Sequence, residues 1–128
     1  NKEGVKTFSN SANGVSVTLT YYYRGDIVTR QDANNTITYK ALGATNEAQA
    51  RKMFAPVAAA YAPVRGLTHS LDYQESDVKE HLSIDYTQAK ISELCQLPGV
   101  MGYDCSQTFV SLKKSENLIT AQGFKEVK

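Results

Sequence analysis

Apolar and polar residues alternate strictly from Val15 to Tyr23. Val15, Val17, Leu19, Tyr21 and Tyr23 fall on one side and Ser16, Thr18, Thr20 and Tyr22 on the other, the period of a half-buried β-strand. Asn13-Gly14 and Gly25-Asp26 bracket this run, and such dipeptides supply the positive φ angles that hairpin turns require. Strands are expected over 6–10, 15–23, 27–33 and 36–40, with a further turn at Asn34-Asn35. The first forty residues therefore predict a four-stranded antiparallel meander.

The period then changes. Asn46 is placed to cap a helix, Gln49 sits at the capping-box position, and Ala50, Phe54, Val57, Ala58 and Tyr61 make one apolar stripe at helical spacing. Pro56 lacks a backbone donor and crowds the carbonyl of Lys52, so a kink or break is expected near Ala55. Alternation returns at 67–74 and 80–86 around a polar Glu75-Ser76-Asp77 turn, with Leu71, Tyr73, Leu82, Ile84 and Tyr86 on the expected core face. Thr87 is expected to cap a short helix bearing Ile91, Leu94 and Cys95, stopped by Pro98-Gly99. The stretch 108–110 reads ambiguously as a strand. Ser111 then caps a last helix that ends at Gly123, with Phe124 folding back on Ile119. Strands in two groups, each followed by helices, give an α+β fold: an antiparallel sheet of about six strands with helices packed on one face.

Three ordered segments carry a resemblance. They are Tyr21-Tyr22-Tyr23-Arg24-Gly25-Asp26-Ile27-Val28-Thr29-Arg30-Gln31, Ala41-Leu42-Gly43-Ala44-Thr45 and Gly123-Phe124-Lys125-Glu126-Val127-Lys128. With the Pro56-bearing helix between them, in this order and spacing over 7–128, the chain resembles the YehR family of bacterial envelope lipoproteins. The resemblance implies a precursor with a signal peptide, lipidated on a cysteine just before the mature domain and held on the periplasmic side of the envelope. The chain opens at Asn1 without a start methionine and so reads as a mature domain or one trimmed after the lipid site, a single domain over 1–128 with 1–5 as an N-terminal tether. The family brings no catalytic or ligand-binding residues to carry over.

Composition narrows the picture. A chain of 128 residues, 41% hydrophobic, is one domain able to bury about two thirds of its unfolded surface. Fourteen basic against thirteen acidic residues, with no run of either sign, provide no electrostatic footprint for nucleic acid. The longest weakly polar stretch, 54–64, is about half the roughly 20 residues of a membrane-spanning helix, so attachment to a membrane would come from a lipid. Cys95 and Cys105 are too few for a thiolate zinc site. A structural disulfide is the expectation, with two free thiols and a redox pair as alternatives; reactive pairs usually sit as Cys-x-x-Cys at a helix start.

No constellation points to catalysis. His69 shares parity with Leu67 and Leu71, whereas His81 is expected across from Asp72 on the opposite face, so the two imidazoles do not converge on a metal or a base. Asp72, Glu75, Asp77 and Glu80 read as a solvated turn. Serine-elbow, phosphate-loop and dinucleotide fingerprints are missing. Arg24-Gly25-Asp26 spells an adhesion tripeptide, but a hairpin turn explains it better. Tyr22 is the stronger oddity, placed beside Thr18 and Thr20 on the face away from the helices, where a ring with a hydroxyl suits an interface. The expectation is a non-enzymatic binding or interaction module without cofactor or metal. Its partner would be an envelope protein or a small ligand, through Tyr22, Thr18 and Thr20; the alternative is a small-ligand carrier with a pocket between sheet and helices.

Overall fold

A computed structural model describes residues 2–98 and 104–128. In chain order the elements are β1 (Glu3–Ala12), β2 (Val15–Arg24), β3 (Ile27–Thr38), α1 (Tyr39–Leu42), α2 (Glu47–Tyr61), β4 (Leu67–Tyr73), β5 (Asp77–Asp85), α3 (Ile91–Leu94), β6 (Val110–Ser111), α4 (Leu112–Ala121) and β7 (Lys125–Val127). The strands form one antiparallel sheet in the order β4-β5-β3-β2-β1-β7, and β6 pairs with the start of β3. The α+β class and the one-sided helix layer are as the alternation implies.

Register fixes the two faces. Phe8 lies opposite Leu19, Leu19 opposite Ala33 and Ala33 opposite Leu82, so one row crosses four strands on the helix side. Phe8, Leu19, Tyr21, Val28 and Ala33 pack there with Ile91, Leu112, Ile119 and Phe124. Farther along, Val78 packs with Tyr39, Ala44, Ala50 and Phe54 of the α1–α2 layer. Asn46 accepts from the Gln49 amide at 3.0 Å. Gln49 reaches one residue past the expected target, accepting from the Thr45 amide at 2.8 Å. Ser111 accepts from the Lys114 amide at 3.2 Å, and the Phe124 amide closes on the Ile119 carbonyl beyond Gly123, which has φ +103°.

Several expectations are corrected. Asn34-Asn35 is no turn: β3 runs through it, because β5 pairs with the whole of 30–38 and both asparagines spend their side chains across the sheet. Residues 39–42 coil into α1, capped by the Thr38 hydroxyl on the Ala41 amide. Pro56 lies inside a continuous α2 on its exposed side, with Phe54 and Tyr61 anchored either side of it; packing outweighs the missing donor. β5 begins at Asp77 and not at 80, since buried Val78 extends the strand. His81 therefore faces Ser70, and Asp72 faces Lys79. Thr87 caps no helix; it donates to Asp85, and α3 starts at Ile91 after Lys90. The tether is shorter than 1–5, because Glu3 already pairs with Arg24. β7 was legible only as an ending. Of the expected Pro98-Gly99 stop, Gly99 lies outside the described residues.

Candidate binding surfaces

The open face of the sheet carries Thr7 and Ser9 of β1, Ser16, Thr18, Thr20 and Tyr22 of β2, Arg30, Asp32, Asn34 and Thr36 of β3, and Lys79, His81 and Ser83 of β5. At its centre a bulge in the β2–β3 register, between Tyr22 and Tyr23, leaves Tyr22 beside Arg30. The Arg30 guanidinium sits 5.0 Å from the centroid of the Tyr22 ring. It also grips Asp32 with two bonds, Nε to Oδ1 at 3.0 Å and Nη2 to Oδ2 at 2.9 Å. Ser83 Oγ donates to Asp32 Oδ1 at 2.6 Å.

Asp32 is the buried charged residue among those described. Burial pushes its carboxyl up, but the bonds from Arg30 and Ser83 outweigh that and hold it below the usual carboxylate range. The carboxylate thereby fixes the guanidinium, whose side chain remains 50% exposed. Tyr22, Arg30 and Asp32 form one contiguous stacked and hydrogen-bonded unit.

Shallow hollows lie either side of this unit. One, of about 390 Å³, is bordered by Ser16, Thr18, Asn34, Thr36, Lys79 and His81. The other, of about 520 Å³, lies toward the β2–β3 turn beside Val5, Tyr22, Arg24 and Thr29. The three residues singled out from the alternation are thus separated: Tyr22 borders the second hollow, Thr18 the first, and Thr20 approaches Thr7 Oγ1 at 3.4 Å between them. Sequence parity found Tyr22 but missed Arg30 and Asp32, which needed the β3 register. Their spacing of two on one strand, the spacing of same-face neighbours, was the available signal.

A separate cleft of about 280 Å³ opens between α4, β6 and the β2–β3 turn. Ile91 and Val110 are buried along it, and Phe109 and Leu118 stand 42% and 38% exposed. Asp26 borders it with its carboxylate already committed, accepting from Ser111 Oγ at 2.6 Å and from the Lys113 amide at 2.9 Å. Those two bonds hold the Asp26 carboxyl below its ordinary range. The Arg24-Gly25-Asp26 tripeptide is a turn docked on a helix start, with its acid engaged.

On the helix side a polar seam divides the two apolar clusters. Glu80, read from sequence as part of a solvated turn, faces inward. Its Oε2 meets His69 Nε2 at 2.8 Å and its Oε1 accepts from Asn35 Nδ2 at 3.0 Å. The Tyr61 ring meets the imidazole edge-on at 4.9 Å, and the Tyr61 hydroxyl donates to the Pro98 carbonyl. His69 keeps the core parity that the alternation gave it. Among the described residues no three histidine, cysteine, aspartate or glutamate side chains gather in metal-binding geometry, and no helix is long and apolar enough to cross a membrane. The Cys95 and Cys105 sulfurs lie at bonding distance, 2.06 Å.

Comparison with known proteins agrees with this architecture. An uncharacterized lipoprotein of Listeria innocua is 40% identical over 98% of this chain and 82% of its own length. The uncharacterized lipoprotein YehR of Escherichia coli is 30% identical over 99% of this chain and 84% of its own. The solution structure of the E. coli YehR protein superposes with a TM-score of 0.85 at 32% identity, covering 99% of this chain and 92% of that one. A Streptococcus pneumoniae protein, 13% identical, shares the fold with a TM-score of 0.68 over 99% of this chain and 86% of that one. The family described as protein of unknown function, DUF1307, matches residues 4–125, and to that family, with lipoproteins among its members, this chain belongs.

Proposed function

We propose that this chain is a non-enzymatic binding module, carried on the periplasmic side of the cell envelope by an N-terminal lipid on its precursor, and that it takes its partner on the open sheet face. The lipoprotein relatives support the anchor. One observation carries the binding reading: Arg30 is half exposed while clamped by Asp32 and seated on Tyr22. Arginine and tyrosine are the residues on which interface energy concentrates, and a side chain already held in place loses little freedom on docking. The buried carboxylate is spent on Arg30 and Ser83, which supports binding over catalysis on this face.

The test is photocrosslinking in the native envelope, with a photoreactive residue at Thr18 on the open face and, as control, at Lys40 on the exposed side of α1. A captured envelope protein at Thr18 that disappears in Arg30→Ala supports the reading. Equal capture at both positions refutes it.

A second reading, a small-ligand carrier, is favoured by the half-exposed Phe109 and Leu118 over buried Ile91 and Val110. An apolar dye that binds the purified domain and is released by Phe109→Ser would support it; a dye that binds the variant equally would end it.

A further inference from the structure

The two edges of the sheet are treated differently. β7 covers the middle of β1, pairing Thr7 with Val127 and Ser9 with Lys125, and β7 itself is short and charged, the usual protection of an exposed edge. β4, at the other end, has no strand beside it among the described residues. Its sequence, Leu67-Thr68-His69-Ser70-Leu71-Asp72-Tyr73, contains no proline or lysine, and its pairing with β5 is regular along its length.

The β4 ladder identifies which backbone groups are free. The Gln74 amide donates to the Asp77 carbonyl and the Asp85 amide to the Gly66 carbonyl. Bonded pairs alternate in an antiparallel ladder, so Thr68, Ser70 and Asp72 exchange bonds with β5, while the N–H and C=O of His69, Leu71 and Tyr73 point off the sheet. No described group meets them.

We propose that this edge pairs antiparallel with β4 of a second copy, with the two-fold axis at Ser70. That register overlaps the whole strand and places the outward groups of His69 against those of Leu71. On the helix side it sets Leu67 beside Tyr73 and His69 beside Leu71, so that half-buried Leu67, Leu71 and Tyr73 gain cover. On the open face Thr68 meets Asp72 and Ser70 meets Ser70, so no like charges are opposed. A register centred on His69 would shorten the overlap and oppose two imidazoles. The result is one sheet continuous through both copies, with both open faces on the same side.

Sedimentation equilibrium of the whole domain from micromolar to millimolar concentration should show the mass rising toward that of a dimer. Ser70→Cys should form an interchain disulfide on air oxidation, because facing residues in a non-bonded pair bring their β-carbons together. Thr68→Cys, which faces Asp72, should not. Ser70→Lys opposes two ammonium groups on an exposed position and should weaken association about tenfold or more, with an unchanged melt. A domain that stays monomeric at millimolar concentration overturns the proposal. So does Ser70→Cys crosslinking no better than Thr68→Cys, or a monomer whose His69 and Leu71 amides become protected only by an added extended peptide.

Discussion

Ser111 and Asp26 are 85 residues apart in sequence and 2.6 Å apart in space, the Ser111 hydroxyl donating to Asp26 Oδ2. Ser111 is also the N-cap of α4, and Asp26 accepts from the Lys113 amide one residue into the first turn. One turn of the sheet and one cap of a helix thus satisfy the same set of orphan amides. A negative group at a helix start is favoured by the helix dipole as well as by its hydrogen bonds.

Asp26→Ala should therefore destabilise the domain by about 1 kcal/mol, the usual loss for a helix cap. The effect should depend on pH. The Asp26 carboxyl is held low first by the Ser111 hydroxyl and then by the Lys113 amide, so its folded value lies below its unfolded one. The contribution is complete above the unfolded value near 3.8 and is lost as pH falls through the folded value. Urea melts at neutral pH should separate wild type from Asp26→Ala, and the gap should close on acidification below the ordinary carboxylate range. A gap that persists unchanged at low pH contradicts the assignment.

What the sequence made legible follows from the range of the forces involved. The caps at Asn46 and Ser111, the Gly123 terminator and the alternation of β2 are local, and each stands where the residues placed it. Asn34-Asn35 misled because turn propensity is local while the pairing of β3 with β5 is not. Glu80 misled for the same reason: its polarity suggested solvent, but Val78, Leu82 and Ile84 share its parity and carry it inward. Arg30 and Asp32 came into view only with the β3 register, which no short window of sequence contains.

The His69–Glu80 pair allows a sharper test. Both side chains are nearly buried, 6% and 12% exposed, so removing one leaves the other with an unmet desolvation cost. Glu80→Leu should cost about 1 to 3 kcal/mol, the penalty of leaving a buried hydrogen-bonding group without its partner. His69→Leu combined with Glu80→Leu should cost clearly less than the sum of the two single changes, because a buried pair replaced by apolar side chains of similar size is often neutral. Denaturant midpoints of Glu80→Leu, His69→Leu and the double variant read this coupling directly, and strict additivity would show that the two side chains act separately.

Cys95 follows α3, and Cys105 lies before β6. Closing this loop should stabilise the fold by about 2 to 4 kcal/mol, mainly by restricting the unfolded chain. Alkylation of the denatured, unreduced protein should add no label to either cysteine, and Cys105→Ser should lower the thermal midpoint. Two labels on the unreduced protein would show that the pair is not bonded.

Tyr21 and Tyr22 are adjacent in sequence and opposite in role. Tyr21 is 3% exposed and meets Phe8 edge-on at 6.0 Å, so Tyr21→Ala should cost about 3 to 5 kcal/mol, in line with other buried aromatic truncations. Tyr22 lies on the open face under Arg30, whose guanidinium stays bound to Asp32 without it. Tyr22→Ala should therefore cost only about 1 kcal/mol, the size of a partly exposed cation–π contact, while lowering capture of a partner on that face. Thermal melts of both variants, set beside crosslinking yields from Thr18, separate stability from binding. If Tyr22→Ala were the more destabilising change, the face assigned to binding would be part of the core, because parity on β2 allows only one of the two rings to be buried among the helices.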